Sequence, residues 1–414
     1  MSNLIGKLYY PCLRMLTSGK DGGNHYRSLL FLTATFILSC LNSCTGDKIP
    51  LEVPGYYQYR IPIQTTDGWE TASLSRVGMN EQPLFNLMYR LKSSDDYRMH
   101  SLLIIKDGKL VFEEYFPGEK FNLAQYTGET GFDMDDTHNL CSATKSFTSA
   151  LTGIAIDQGT ILSVDQRIFD FFPEHTDLLR LSPGKNDITI RNLLTMQSGL
   201  AWDDESTSYF DARNDMNQMF SSRDPIRYVL TKDLIEIPGT FFAYRNCNTN
   251  VLGEIIHKAS DESVISFSDE YLFTKLGITD FEWQMISGDV VFCSGDLRLR
   301  PRDMAKFGLL FLNGGSWEGE QIISRAWIDS STARQVELQQ SWADLDGYGY
   351  QWWLWEDIDD LAFSAYAAAG WGGQWIIIWP EKNTVFVTTG GNYYTPELIP
   401  IESLLAEYLI PSVN

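Results

Sequence analysis

Basic residues and histidines are both scarce in this chain. Against 54 Asp and Glu stand only 32 Lys and Arg, a formal charge of −22 at pH 7. A surface of that sign repels phosphodiesters and anionic lipid headgroups, which argues against nucleic acid or a charged membrane face as partner. Histidine occurs only at His25, His100, His138, His175 and His257. A Ser-His-Asp mechanism would have to recruit one of the last four, and none lies in a motif. The G-x-S-x-G elbow, H-E-x-x-H, the P-loop and the dinucleotide fingerprint are all missing.

Cysteine is also sparse. Beyond Cys44 only Cys141, Cys247 and Cys293 follow. An odd number without zinc-ligand spacing excludes a disulfide framework and predicts buried free thiols. No long apolar run is present either. The stretch 29–38 is too short to anchor stably across a bilayer, but it follows Lys7, Arg14, Lys20 and Arg27. That order, basic then apolar, is the pattern of a secretory leader. It runs into Leu41-Asn42-Ser43-Cys44, which resembles a bacterial lipobox. Two outcomes are open: lipidation of Cys44, giving a membrane tether, or simple cleavage by signal peptidase. Either puts the mature chain in the cell envelope. The stretch before Arg27 is long for a leader, so Met15 is an alternative start.

What is present reads as an ordinary globular protein, 44% hydrophobic and 21% charged over 414 residues. Twelve Trp and 20 Tyr suit a large core, and would also suit an aromatic cleft. The chain divides into a leader (1–44), a polar lead-in on the surface (45–98) and one main domain (99–410). Residues 101–105 and 110–115, apolar and joined by Asp107-Gly108, predict a hairpin. Residues 374–379 and 384–389 predict a second strand pair around a turn at Pro380 to Asn383. Between them the pattern is helical: Phe147, Leu151 and Ile154; Ile190 to Leu194; Val251 to Ile256; and a helix opened by Pro301. The expected fold is α/β in the α+β sense: an antiparallel sheet built from both chain ends, flanked by helices. A mainly helical region, about 160–300, is inserted, with a cleft where the parts meet.

Three segments can carry chemistry. S-x-x-K places a hydroxyl and an amine one helical turn apart, and it occurs at Ser142–Lys145 and Ser182–Lys185. Pro183-Gly184 breaks any helix in the second, which marks a loop decoy. The first opens the Phe147 helix, where backbone N–H groups favour an oxyanion and desolvation lowers the lysine pKa. A snorkelling Lys145 is the bland alternative. In Pro238 to Asn246, Tyr244 can relay a proton and Asn246 can orient a substrate carbonyl, although a turn with a packed aromatic reads equally well. Ala369 to Gln374 sets Gly370, Gly372 and Gly373 around Trp371. It permits close backbone approach and an oxyanion-hole amide, or else only a tight hairpin entry.

In this order and spacing the blocks resemble the serine β-lactamase and penicillin-binding-protein family, in particular its class C-like esterases and D-peptidases. The segment Ile188 to Leu200 and the stretch from Gly295 through Gly315 are similar to family segments as well. The resemblance implies a β-lactamase/transpeptidase-like fold and a serine hydrolase forming an acyl-enzyme on Ser142. Lys145 and Tyr244 would share its proton, and Asn246 would hold substrate. Backbone N–H groups of Ser142 and Gln374 would form the oxyanion hole, with Trp371 and Gly373 beside it. No metal or organic cofactor is implied, and the substrate would be a small ester, amide or peptide.

Two departures matter. Trp371 stands where the family usually has Lys or His, so strong β-lactamase activity is not expected and an apolar acyl or alcohol pocket is, with Trp353 and Trp355 either in it or in the core. Arg245 replaces a small residue, and is expected to point to solvent rather than to bind an anionic group. Alternatives to the esterase reading are a D-peptidase of the cell wall and a non-catalytic binding or regulatory module.

Overall fold

The computed structural model describes residues 57–93, 98–122, 125–204, 206–338, 345–356, 362–393 and 400–413. The leader and Cys44 lie outside these residues. The expected hairpin forms as β1 (Met99–Lys106) and β2 (Lys109–Tyr115). Its two turn residues are left-handed, Asp107 at φ 52° and Gly108 at φ 75°, matching the twist of the strands they join. Six further strands belong to the same sheet: β3 (Val336–Glu337), β4 (Gly347–Tyr348), β5 (Trp353–Trp355), β6 (Ala365–Gly370), β7 (Gln374–Trp379) and β8 (Thr384–Gly390). The order is β3-β4-β5-β6-β7-β8-β1-β2, with antiparallel neighbours throughout. Strand β1 therefore pairs with β8, joining the two chain ends, with Leu103 opposite Val387.

Both faces of the sheet are covered, so its central strands are apolar at successive positions rather than alternately. Leu103, Ile105, Ile376, Ile378, Val385 and Val387 face one layer. Leu102, Ile104, Ile377, Trp379 and Phe386 face the other. In that second layer packs α1 (Glu81–Ser93), whose Leu84, Leu87, Met88 and Leu91 recur at helical spacing and are all buried. Trp69 is buried against the first layer and its indole N–H donates to the Arg302 carbonyl. Residues 57–93 are thus part of the core's cover, not the polar surface lead-in expected, because the apolar stripe of α1 sits among polar neighbours that mask it in a composition reading.

The first layer holds α2 (Thr144–Asp157), in which every residue from Thr144 to Ala155 is buried. Its polar side chains are satisfied locally: Ser146 Oγ donates to the Gln351 carbonyl and Thr148 Oγ1 to that of Cys293. The inserted region contributes α3 (Ile190–Leu194), α4 (Asp215–Ser221) and α5 (Asn246–Ser260), the last packed on α2. Helix α6 (Pro301–Leu312) then lies on β7 and β8. Among the described residues no helix is long and apolar enough to cross a membrane.

Candidate active site

Ser142 occupies a 3-10 turn, Cys141–Ala143, that feeds directly into α2. Cys141 before it is held left-handed at φ 46°, with its N–H donating to Asn139 Oδ1 at 2.7 Å. A non-glycine residue in that region is strained, and the strain sits next to the serine. Lys145 follows one turn later. Its Nζ donates to Ser142 Oγ at 2.9 Å and to the Ser294 carbonyl at 2.6 Å. The side chain is buried, so it does not snorkel. Burial pushes its ammonium down to about 7, against the opposing attraction of Asp204. At Ser182–Lys185, by contrast, Lys185 Nζ donates to the Leu230 carbonyl, and Pro183–Asp187 form a 3-10 helix rather than a loop.

Tyr244 arrives on the loop before α5. Lys145 Nζ lies 4.9 Å from its ring centroid. The ring stacks on Trp353 at 5.4 Å and meets Tyr348 edge-on at 6.4 Å. Trp353 therefore shapes the tyrosine, whereas Trp355 is buried in the outer layer. Asn246 opens α5, and its Nδ2 donates to Asp204 Oδ2 at 2.6 Å. Asp204 is buried, which raises its carboxyl pKa, while the hydrogen bond from Asn246 and the charge of Lys145 pull the other way. Sequence reasoning missed this carboxylate; the only available hint was an acidic pair, Asp203-Asp204, just beyond the Ser198–Leu200 segment.

Arg245 needs correction. It is buried, and both Nη1 and Nη2 donate to Glu236 Oε2 at 3.0 Å. It does not reach solvent, and its charge is already matched nine residues upstream, at a distance in sequence where no periodic pattern announces a partner.

Residues Trp371 to Gly373 make the tight connection between β6 and β7, with Gly372 and Gly373 left-handed at φ 90° and 94°. Gly370 ends β6 against the turn that carries Ser142: a Cβ there would stand 2.0 Å from the Leu140 carbonyl oxygen and 3.1 Å from the Ala143 nitrogen. The glycine run thus serves close approach as well as the hairpin turn. Gln374 is buried, and its Nε2 donates to the Gly390 carbonyl at 2.7 Å, tying β7 to the end of β8. The Trp371 ring meets Tyr393 edge-on at 5.2 Å and lies 6.3 Å from Tyr209.

These elements enclose a cleft of about 290 Å³. Ser142, Cys141, Asn246 and Trp371 line it, together with Tyr209, Phe210, Met216, Phe220 and Phe292. The last five come from the loop and helix 202–225, whose shape the sequence did not reveal, and from the segment before Ser294. Cys141 is half-buried in the cleft wall, unlike the fully buried Cys247 and Cys293. Asp296 also lines the cleft, left-handed at φ 63°, and burial pushes its carboxyl up to about 6. Among the described residues no cluster suited to a metal ion is found.

Comparison with known proteins agrees with this architecture. The chain is 26% identical over 248 residues to the 6-aminohexanoate-dimer hydrolase of Paenarthrobacter ureafaciens, a match spanning 56% of this chain and 61% of that relative. A family VIII carboxylesterase superposes with a TM-score of 0.62 at 16% identity, covering 85% of this chain and all of the other. The octameric penicillin-binding protein homologue from Pyrococcus abyssi gives 0.58 at 19% identity, over 78% and 76% of the two chains. At those identities the two structures speak for the fold. The Beta-lactamase family model matches residues 95–393, a span that takes in Ser142, Lys145, Tyr244 and the Trp371 hairpin, and the chain belongs to that family.

Proposed function

We propose that this protein is a serine hydrolase of small esters or amides that works through an acyl-enzyme on Ser142. The observation carrying this reading is the 2.9 Å contact between Ser142 Oγ and Lys145 Nζ, with the amine buried and its pKa brought to about 7. An amine of that pKa is neutral in a large fraction of molecules near pH 7 and can take the hydroxyl proton. Ser142 Oγ then bonds to the substrate carbonyl carbon while its proton moves to Lys145. Tyr244, whose ring lies beside that amine, relays the proton to the departing oxygen or nitrogen as the old acyl bond breaks. Water attacks the acyl-enzyme by the reverse relay. The close approach of Gly370 to Leu140 and Ala143 supports an oxyanion hole between the Ser142 and Gln374 N–H groups.

The walls favour an apolar acyl or alcohol group, because Phe210, Phe220, Phe292 and Trp371 dominate them. Esters and simple amides fit that lining better than a cell-wall D-peptide. The relatives named for hydrolase and carboxylesterase activities support the same reaction class. For the mature protein we propose the cell envelope, with Cys44 as the lipidation point; a mature N-terminus lacking a diacylglyceryl mass on Cys44 would refute the tether.

Fluorophosphonate labelling with mass-spectrometric mapping tests the reading without knowledge of the substrate. An adduct on Ser142, lost in Lys145→Ala, is expected. Folded protein that stays unlabelled while a control hydrolase reacts would point instead to a binding module.

A further inference from the structure

The cleft carries a carboxylate, Asp296, and no Lys or Arg among its described lining residues. Asn246 is one of three carboxamides in its wall, with Asn139 and Asn217, and its amino end is committed to Asp204 at 2.6 Å. With the NH₂ turned to Asp204, the amide oxygen is left for the cleft.

Asp296 reinforces the sign. Its side chain is 1% exposed, and neither carboxylate oxygen has a hydrogen-bond partner. The nearest cation, Arg298, approaches with Nε at 3.2 Å from Oδ1 and stands 4.0 Å from Glu282. Two carboxylates thus share one guanidinium, and the group keeps a net negative charge. No Lys or Arg is among the described residues lining the cleft. Arg245, next to Asn246 in the chain, is paired with Glu236. Lys145 uses its donors on Ser142 and Ser294. A substrate carboxylate entering here would shed water and meet the Asp296 carboxylate with no lining cation to offset it, whereas an ammonium would meet an opposite charge.

We propose that the cleft selects amine-bearing esters or amides and rejects carboxylate-bearing ones, with Asp296 and the Asp204-oriented Asn246 as specificity determinants. The proposal rests on the hydrolase reading above and deepens it. It requires no change in the reaction; the ammonium is recognised on the acyl group while Ser142 acts on the carbonyl.

The test uses the p-nitrophenyl esters of 6-aminohexanoate and hexanoate and the mono-p-nitrophenyl ester of adipate, whose acyl tails end in an ammonium, a methyl and a carboxylate. Expected is kcat/KM in the order ammonium, methyl, carboxylate, with the outer two at least about tenfold apart. Asp296→Asn and Asp204→Asn, both near-isosteric, should each compress that ratio severalfold. A flat or reversed order, or a ratio unchanged in both variants, overturns the proposal. Hexanoate ester turnover that disappears in Ser142→Ala keeps the hydrolase reading standing even then. Absence of turnover for all three esters overturns both.

Discussion

Lys145 Nζ stands 2.9 Å from Ser142 Oγ, and it is burial of the lysine, not a neighbouring cation, that suits it to accept a proton. With its pKa lowered to about 7, kcat/KM for a neutral ester should rise with pH through that value and level off above it. A profile flat between pH 5.5 and 9, numbers that bracket the transition by about two units on either side, would remove Lys145 as the base.

The same shift has a consequence for stability. Lys145 titrates near 7 when folded and near 10.5 when unfolded. Between those values the unfolded chain holds a proton that the folded chain has lost, so stability rises with pH across this window, and below it the penalty is fully present. Lys145→Met removes the titration and should stabilise the fold by about 1–2 kcal/mol near neutral pH, at the cost of activity. Chemical denaturation at pH 6 and 9 checks this; equal gains at both pH values, which bracket the lower pKa by about one and two units, would contradict the linkage.

Gly370 sets the distance between the β6–β7 connection and the nucleophile turn. Gly370→Ala would drive a methyl into the Leu140 carbonyl and should cost about 1–3 kcal/mol, with a larger fractional loss of Ser142 labelling than of folded protein. Loss of labelling in strict proportion to folded protein, judged by circular dichroism, would show that the contact matters for packing alone.

Glu236 is the counterion that keeps Arg245 out of the cleft chemistry. Glu236→Ala leaves a buried guanidinium unmatched and should destabilise by about 3–5 kcal/mol, whereas the double variant with Arg245→Met should recover most of that loss. A double-mutant cycle by urea denaturation measures the coupling, and additive losses would mean that the two residues act independently.

Trp371 supplies an aromatic wall. Trp371→Ala should raise KM about tenfold for esters with bulky apolar groups and far less for acetate esters, since about 1.4 kcal/mol of apolar contact corresponds to that factor. Equal changes for both esters would indicate a general disturbance of the hairpin through its contact with Tyr393.

Much of this protein was decided locally and is therefore legible in the sequence. The Asp107-Gly108 turn, the unbroken apolar runs of the central strands and the one-turn spacing of Ser142 and Lys145 all lie among close neighbours in the chain, where a reader of the sequence can see them. Helix α1 was overlooked for a related reason: its stripe of Leu84, Leu87, Met88 and Leu91 is diluted by polar residues over the same span.

What only the tertiary structure decided is the environment of those groups. Lys145 meets the Ser294 carbonyl 149 residues away, Asn246 meets Asp204 across 42 residues, and the cleft takes its walls from the 202–225 segment and from Phe292. Hydrogen bonds and desolvation act over a few ångströms in space and leave no periodic mark along the chain. For that reason the sequence by itself named Ser142, Lys145, Tyr244 and Asn246, while the burial of Arg245, the turn of the Asn246 amide and the place of Asp296 in the cleft wall came from the fold.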